Sequence, residues 1–256
     1  MPAMDYAKIA DLYDTYVVTD LDVPFFINET RKATNVLELM SGTGRLSIPL
    51  LEAGVSLTCV DSSPEMLAIF RQKLEEKKLA ATVREMDVCN LDFSQSFDLI
   101  ILPFNSFSEI VNPDEQRQAL RSIYNSLAEN GRFICTLHNP EIRLRSINGQ
   151  LTLRGKYSLA NNEKTLFLWS IEQYNFDNHL VTGTQFYEVY DNQQMMGYKT
   201  FVDIQFYLHQ QQEFAKLLHS EGFSVVNLYG DYAYSEFQAE LSPFMIWNLA
   251  KNGRKL

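Results

Sequence analysis

The sequence predicts an α/β protein whose sheet carries helices on both faces, interrupted by an inserted antiparallel β cap. Three observations predict it. An apolar strand, VLEL from Val36, runs into a small glycine-bearing turn that opens a helix. Strand-like and helix-like segments then alternate as far as His138, the pattern of parallel strands joined by crossover helices. Beyond Asn139-Pro140, four strand-like segments follow one another without helices between them, so they should pair antiparallel.

Apolar residues at Tyr6, Ile9, Leu12, Tyr13 and Tyr16 predict an amphipathic helix within Met4 to Val17, and a short helix is expected from Asp22 to Lys32. After VLEL, a helix is expected from Gly44 to Ala53, where Pro49 is tolerable only near the first turns. VSLTCVD, ending at Asp61, is the second strand. Ser63 then reads as an N-cap with Pro64 at the first helical position, and the helix should run to about Lys78. ATVREMD, ending at Asp87, and FDLIILPF, from Phe97 to Phe104, are the third and fourth strands. Asn112 and Pro113 open a helix expected to reach about Glu129 and to stop at Asn130-Gly131. RFICTLH is the fifth strand. The insert's strands are LTLRGKYSL, TLFLWSIEQYNF, HLVTGTQFYEVYD and GYKTFVDIQFYLH, with turn signals at Asp177-Asn178 and Asp191-Asn192. Gln210 to Glu221 reads as a helix stopped at Gly222, and FSVVNLYGDY and PFMIWNLAK as two last strands. The chain divides into an N-terminal helical lid (1–34), an α/β domain (35–138 and 209–256) and a cap (139–208).

The chain has 256 residues, 46% of them apolar, and a formal net charge of −10. That charge argues against a nucleic-acid partner, which needs a basic surface. No stretch approaches the ~20 apolar residues that span a bilayer, so no membrane partner is expected. The opening residues carry acids and do not read as a signal peptide. Cys59, Cys89 and Cys135 lie far apart and suit a reduced, cytoplasmic setting, each as buried filler. His138, His179, His209 and His219 lack metal-ligand spacing and CxxC is absent, so no metal is expected. The expected assembly is a monomer or a homodimer.

Three acids punctuate the first half: Glu38 within the first strand, Asp61 at the end of the second and Asp87 at the end of the third. In such sheets the ligand crevice lies at the carboxyl ends of the strands. A glycine turn there lets the backbone approach a ligand. An acid after the second strand can accept hydrogen bonds from two ribose hydroxyls, and one after the third from an adenine amino group. A dinucleotide site would also want G-x-G-x-x-G, but here Ser47 stands at the third glycine position. Glu38 would moreover repel a pyrophosphate. Beside a ligand with a sulfonium and an ammonium group the acid is favourable, and S-adenosylmethionine has both.

ELMSGTGR, VDSSPEML and EMDVCNLDF resemble the first three motifs of the class I S-adenosylmethionine-dependent methyltransferases, in their small-molecule, N-methyltransferase-like branch. The resemblance covers about Val36 to His138 and extends more loosely to GDYAYSEFQAELSPFMIWNLAK near the C-terminus. It departs at Met40, where the family usually has glycine. It implies a Rossmann-like sheet and S-adenosylmethionine as cofactor. By resemblance, Glu38 would lie near the amino group of the methionine part, Met40 and Ser41 would touch the ligand, and Gly42 and Gly44 would let the chain approach. Asp61 with Ser62 would hold the ribose, and Met66 would pack near the adenine. Met86, Asp87 and Val88 would bind the adenine, and Leu102 would offer its backbone carbonyl to the ammonium. Tyr13 and Tyr16 would close over the methionine end, with Tyr16 also on the acceptor side.

Methyl transfer is an in-line displacement that needs mainly position and a desolvated site. Nucleobase amine methyltransferases usually show an Asn/Asp-Pro-Pro-Tyr-like turn after the fourth strand. This chain has LPFNSF, Leu102 to Phe107, which looks like N- and O-methyltransferases of small metabolites. The expected acceptor is a cationic amine, methylated on nitrogen. O-methylation is the alternative, and a nicotinamide-dependent oxidoreductase or a non-catalytic S-adenosylmethionine-binding subunit are readings from other classes. Asn105, Tyr16 and the cap aromatics Trp169, Tyr187 and Tyr198 are candidate acceptor contacts, since aromatic faces suit a cation. Glu172, Glu188 and Asp203 could balance an ammonium, although surface placement is expected of each. His138, at the end of the fifth strand, is the candidate base or substrate hydrogen-bond partner.

Overall fold

The computed structural model describes residues 4–159 and 163–251. The outermost parts of the expected lid and α/β domain, residues 1–3 and 252–256, lie outside the described residues. The N-terminal segment bends into a 3₁₀ turn, Tyr6–Lys8, and helix α1, Ala10–Tyr16. Helix α2 spans Val23–Thr30. Strand β1 (Val36–Leu39) leads to helix α3 (Ser47–Glu52), β2 (Leu57–Asp61) to α4 (Pro64–Lys77), and β3 (Thr82–Glu85) to β4 (Phe97–Leu102). Helix α5 is Pro113–Ser126 and strand β5 is Leu127–His138. The short helix α6 (Pro140–Arg143) precedes the strands β6 (Thr152–Leu159), β7 (Lys164–Asn175), β8 (Leu180–Asp191) and β9 (Met196–Tyr207). Helix α7 (Gln211–Ser220) and strands β10 (Phe223–Tyr229) and β11 (Phe244–Lys251) close the chain.

Seven strands form one sheet in the order β10-β11-β5-β4-β1-β2-β3, and β6 to β9 form a second, antiparallel sheet. The strands from β5 to β3 in that order run parallel, but β11 pairs antiparallel with β5, and β10 antiparallel with β11. The expected parallel sheet therefore carries an antiparallel edge. Strand alternation splits the core between the two faces. Leu37, Leu39, Ile100 and Leu102 pack toward α5 and α7, whereas Val36, Cys59, Leu99 and Ile101 pack toward α2, α3 and α4.

Side-chain caps set the starts of α4 and α5. The Ser63 hydroxyl accepts from the Met66 N–H at 3.3 Å, and the Asn112 side chain from the Asp114 N–H at 2.8 Å. Two boundaries differ from expectation. Regular helix begins at Ser47 rather than Gly44, which leaves Pro49 in the first turn, where its missing N–H costs nothing. Helix α5 ends at Ser126, well before Asn130-Gly131, because Leu127 already pairs with Phe97 of β4. Pairing resumes only at Arg132 opposite Leu99, so the intervening residues bulge out of register.

The N-terminal segment is bound to both sheets. The Asp14 carboxylate accepts from the Thr43 hydroxyl at 2.6 Å and pairs with Lys73 at 2.5 Å, which ties α1 to the glycine turn and α4. Ile9 is buried in the core of the cap, with Leu166, Leu168, Tyr187 and Ile204. Lid and cap thus share one hydrophobic cluster. At the root of the cap, Asn139 Nδ2 donates to the carbonyls of Ala239 and Ser242, each at 2.7 Å. Among the described residues, no helix is long and apolar enough to cross a membrane.

Candidate active site

A cleft of about 670 Å³ opens over the carboxyl ends of β1 to β5 and is roofed by the N-terminal segment and the inner face of the cap sheet. It sits where the strand order reverses, between β1 and β4, the place where such sheets bind ligands.

The turn after β1 is built from left-handed residues. Met40, Gly42 and Gly44 have φ of 53°, 56° and 80°. A Cβ on Gly44 would stand 2.3 Å from Cδ2 of Phe70, so this glycine serves close helix packing and does not line the cleft. Met40 and Gly42 do line it. The Asp61 carboxylate is held by two backbone donors, the Gly42 N–H at 2.7 Å and the Ser63 N–H at 2.9 Å. Burial raises its pKa against those hydrogen bonds. Ser62, Met66, Met86, Asp87 and Val88 complete this wall, and Asp87 accepts from the Cys89 N–H at 2.8 Å.

Ligand contact is expected of Glu38 and Ser41, and of Leu102 through its backbone carbonyl. None of the three lines the cleft. Glu38 lies beneath the glycine turn and accepts from the Ser47 hydroxyl at 2.6 Å; burial pushes its carboxyl up to about 7 against that hydrogen bond. Cys89, expected as buried filler, is partly buried against the core and also lines the cleft.

On the acceptor side, Tyr13, Tyr16, Asn105 and His138 all reach the cleft. Burial, and then the Arg143 guanidinium, push His138 down to about 4, so the ring is neutral near pH 7. Trp169, Tyr187 and Tyr198 do not line the cleft. Trp169 is opposite Phe186, which in turn is opposite the exposed Phe201, on the outer face of the cap. Tyr187 is fully buried, 3.2 Å from the Tyr16 hydroxyl and 2.7 Å from Gln185. Tyr198 is exposed and reaches the Lys8 carbonyl at 3.5 Å. The inner face offers Glu172, Gln185, Ile204 and Phe206 instead. Of the acids weighed as counter-ions, only Glu172 reaches the cleft. It is clamped by Arg143 and by Arg154 at 2.7 Å. Burial opposes its charge, but Arg143 holds its carboxyl below the usual value.

The sequence reading missed Glu109. It lines the cleft from a 3₁₀ turn, Ser106–Glu109, and accepts from the Tyr6 hydroxyl at 2.7 Å. Burial pushes its carboxyl up to about 7, the Tyr6 hydrogen bond working the other way. No periodicity marks a single acid in a short turn, and its partner is far away in sequence.

Five acids and one arginine line the cleft: Asp61, Asp87, Glu109, Glu115 and Glu172 against Arg143. This charge suits a sulfonium and an ammonium and is unfavourable for a pyrophosphate. The paired backbone-held carboxylate of Asp61 and the apolar wall of Met66, Met86 and Val88 fit a nucleoside.

Residues 36–131 match the family described as "Methyltransferase domain". That match places a methyltransferase-like segment over the glycine turn and strands β1 to β4. The chain is 35% identical over 136 residues to a glycine/sarcosine N-methyltransferase of Halorhodospira halochloris, covering 52% of this chain and 51% of that protein. It is 27% identical over 229 residues to a glycine/sarcosine N-methyltransferase of Aphanothece halophytica, covering 88% and 80%. The matches span about half the length of several of these curated relatives. The fold is shared with an S-adenosylmethionine-dependent methyltransferase from Clostridium acetobutylicum ATCC 824, at a TM-score of 0.77, 20% identity, and 97% and 99% coverage.

Proposed function

We propose that this protein transfers a methyl group from S-adenosylmethionine to the nitrogen of a small amine. The observation that carries the proposal is the acid-lined cleft at the carboxyl ends of the strands, closed by lid and cap. Two relatives named as glycine/sarcosine N-methyltransferases support an amine acceptor.

In this reading Asp61 holds the ribose, Asp87 the adenine amino group, and Met66, Met86 and Val88 the ring. When bound, S-adenosylmethionine supplies a methyl group already activated on sulfur. The chain's own work is to orient the acceptor, exclude water and receive a proton. The cap, 139–208, chooses the acceptor through Glu172, Gln185, Ile204 and Phe206. His138 is a neutral hydrogen-bonding partner in this arrangement, since a group titrating at about 4 is a weak base near pH 7.

The test is calorimetry with S-adenosylhomocysteine, followed by a screen of glycine, sarcosine, ethanolamine and glucosamine with mass spectrometry of the products. Binding and a methyl group on nitrogen are expected. A methyl group found only on oxygen would overturn the amine assignment, and absence of S-adenosylhomocysteine binding would overturn the cofactor.

A further inference from the structure

Buried acids in this protein mostly have explicit partners: Glu172 and Glu221 each meet two arginines, and Asp22 meets Arg45. Glu109 is different. It faces the cleft, and among the described residues its side-chain hydrogen bond comes from Tyr6 alone, with no cation paired to it. Four positions earlier on the same turn, Asn105 holds φ 64°, and its Oδ1 is buried without a partner. Both residues line one cavity, and each brings an oxygen acceptor short of donors. An ammonium carries the donors that this pair lacks.

We propose that Glu109 binds the acceptor's ammonium group and takes its proton, with Asn105 Oδ1 accepting a second N–H and Tyr6 orienting the carboxylate. This rests on the N-methylation reading above. The amine arrives as R–NH₃⁺, and one proton passes to Glu109, which frees the nitrogen lone pair. That pair forms the N–CH₃ bond while the methyl–sulfur bond of the donor breaks and its electrons remain on sulfur. The product leaves as a methylated ammonium, and protonated Glu109 returns its proton to water. The groups facing Glu109 are the hydroxyls of Tyr6, Tyr13 and Tyr16 and the Asp61 carboxylate. Burial raises all three tyrosines, so they stay neutral, and Asp61 adds to the burial that lifts Glu109 to about 7. A base titrating near the working pH is well matched to this task, and His138 at about 4 is not.

The experiment compares wild type, Glu109→Gln and Tyr6→Phe, using whichever amine of the panel wild type methylates fastest. Glu109→Gln keeps the shape and an acceptor for Tyr6. It should lower kcat/KM by ~10²-fold and abolish the rise in rate through about pH 7, with S-adenosylhomocysteine affinity unchanged. Tyr6→Phe removes a hydrogen bond that favours the ionised form, so the rising limb should move to higher pH. It also decides the matter if circular dichroism shows Glu109→Gln unfolded. Without any ligand, carboxyl ¹³C titration should show a glutamate near pH 7 that vanishes in Glu109→Gln. An unchanged rate profile in the folded variants, or no such lost resonance, overturns the role of Glu109 while N-methylation stands. A methyl group found only on oxygen overturns both.

Discussion

The backbone N–H of Gly42 donates to Asp61 Oδ2 at 2.7 Å across 19 positions, and so binds the turn after β1 to the end of β2. The other carboxylate oxygen is held by the Ser63 N–H. An ionised carboxylate has about four lone-pair sites, so about two remain for donors of a ligand. The acid is therefore oriented before any ligand arrives, which reduces the ordering cost of binding.

Asp61→Ala should weaken S-adenosylhomocysteine binding roughly ten- to a hundredfold, since hydrogen bonds to a charged group contribute ~1.5–3 kcal/mol. The Gly42 N–H also loses its partner, so Asp61→Asn, which retains an acceptor, should lose less. Calorimetry on both variants checks the order.

Gly44→Ala should destabilise the fold rather than the cofactor contacts. The new Cβ would meet the Phe70 ring at 2.3 Å, and the backbone sits at φ 80°. Overpacking of this kind costs ~1–3 kcal/mol before the left-handed strain is added. Urea denaturation should show an unfolding midpoint well below that of wild type, whereas Gly54→Ala, with open space around its Cβ but φ 84°, should lose only the strain.

Trp169 and Tyr187 should behave as different kinds of residue. Trp169→Ala, on the outer cap face, should leave acceptor kcat/KM close to wild type. Tyr187→Ala opens a cavity in the cluster shared by lid and cap, at a cost of ~3–5 kcal/mol. Tyr187→Phe keeps the packing and loses the hydrogen bonds to Tyr16 and Gln185, so acceptor KM should rise with little change in thermal midpoint. Steady-state kinetics and thermal denaturation separate the three.

Stability should carry a signature of two acids, the buried Glu38 and the half-buried Glu109. Glu38 and Glu109 are raised from 4.5 to about 7, so the native state keeps their protons to higher pH than the unfolded chain does. Their contribution is complete below pH 4.5 and is lost as pH rises through about 7. It is on the order of 3 kcal/mol for each, at about 1.4 kcal/mol per unit. His138 and His209, pushed down by burial to about 4 and about 3, act with the opposite sign and stabilise increasingly as pH rises toward 6.5. Denaturation of wild type against Glu38→Gln/Glu109→Gln isolates the acids: wild type should lose stability relative to the double variant between pH 4.5 and about 7, and the difference should be level above that.

By itself the sequence determined the elements and many of the residues that wall one side of the cleft. Caps such as Ser63 and Asn112 act within three residues, and strand alternation and the glycine turn are equally local, so they are legible without a partner. Asp61, Met66, Met86, Asp87 and Val88 follow because an acid at a parallel strand's carboxyl end faces the crevice whatever the rest of the fold does. Tertiary structure decided what depends on pairing between distant segments. Alternation along the cap strands marks two faces but not which one is covered, so Trp169 and Glu172 could not be told apart until the sheet met the lid. Helix α5 stops at Ser126 because Leu127 finds Phe97, not because of any local breaker. Glu38 remains beneath the turn because Ser47 of the following helix takes its carboxylate. Glu109 becomes a cleft acid only when Tyr6, 103 positions away, closes over it, and burial rather than residue type then sets how tightly it holds a proton.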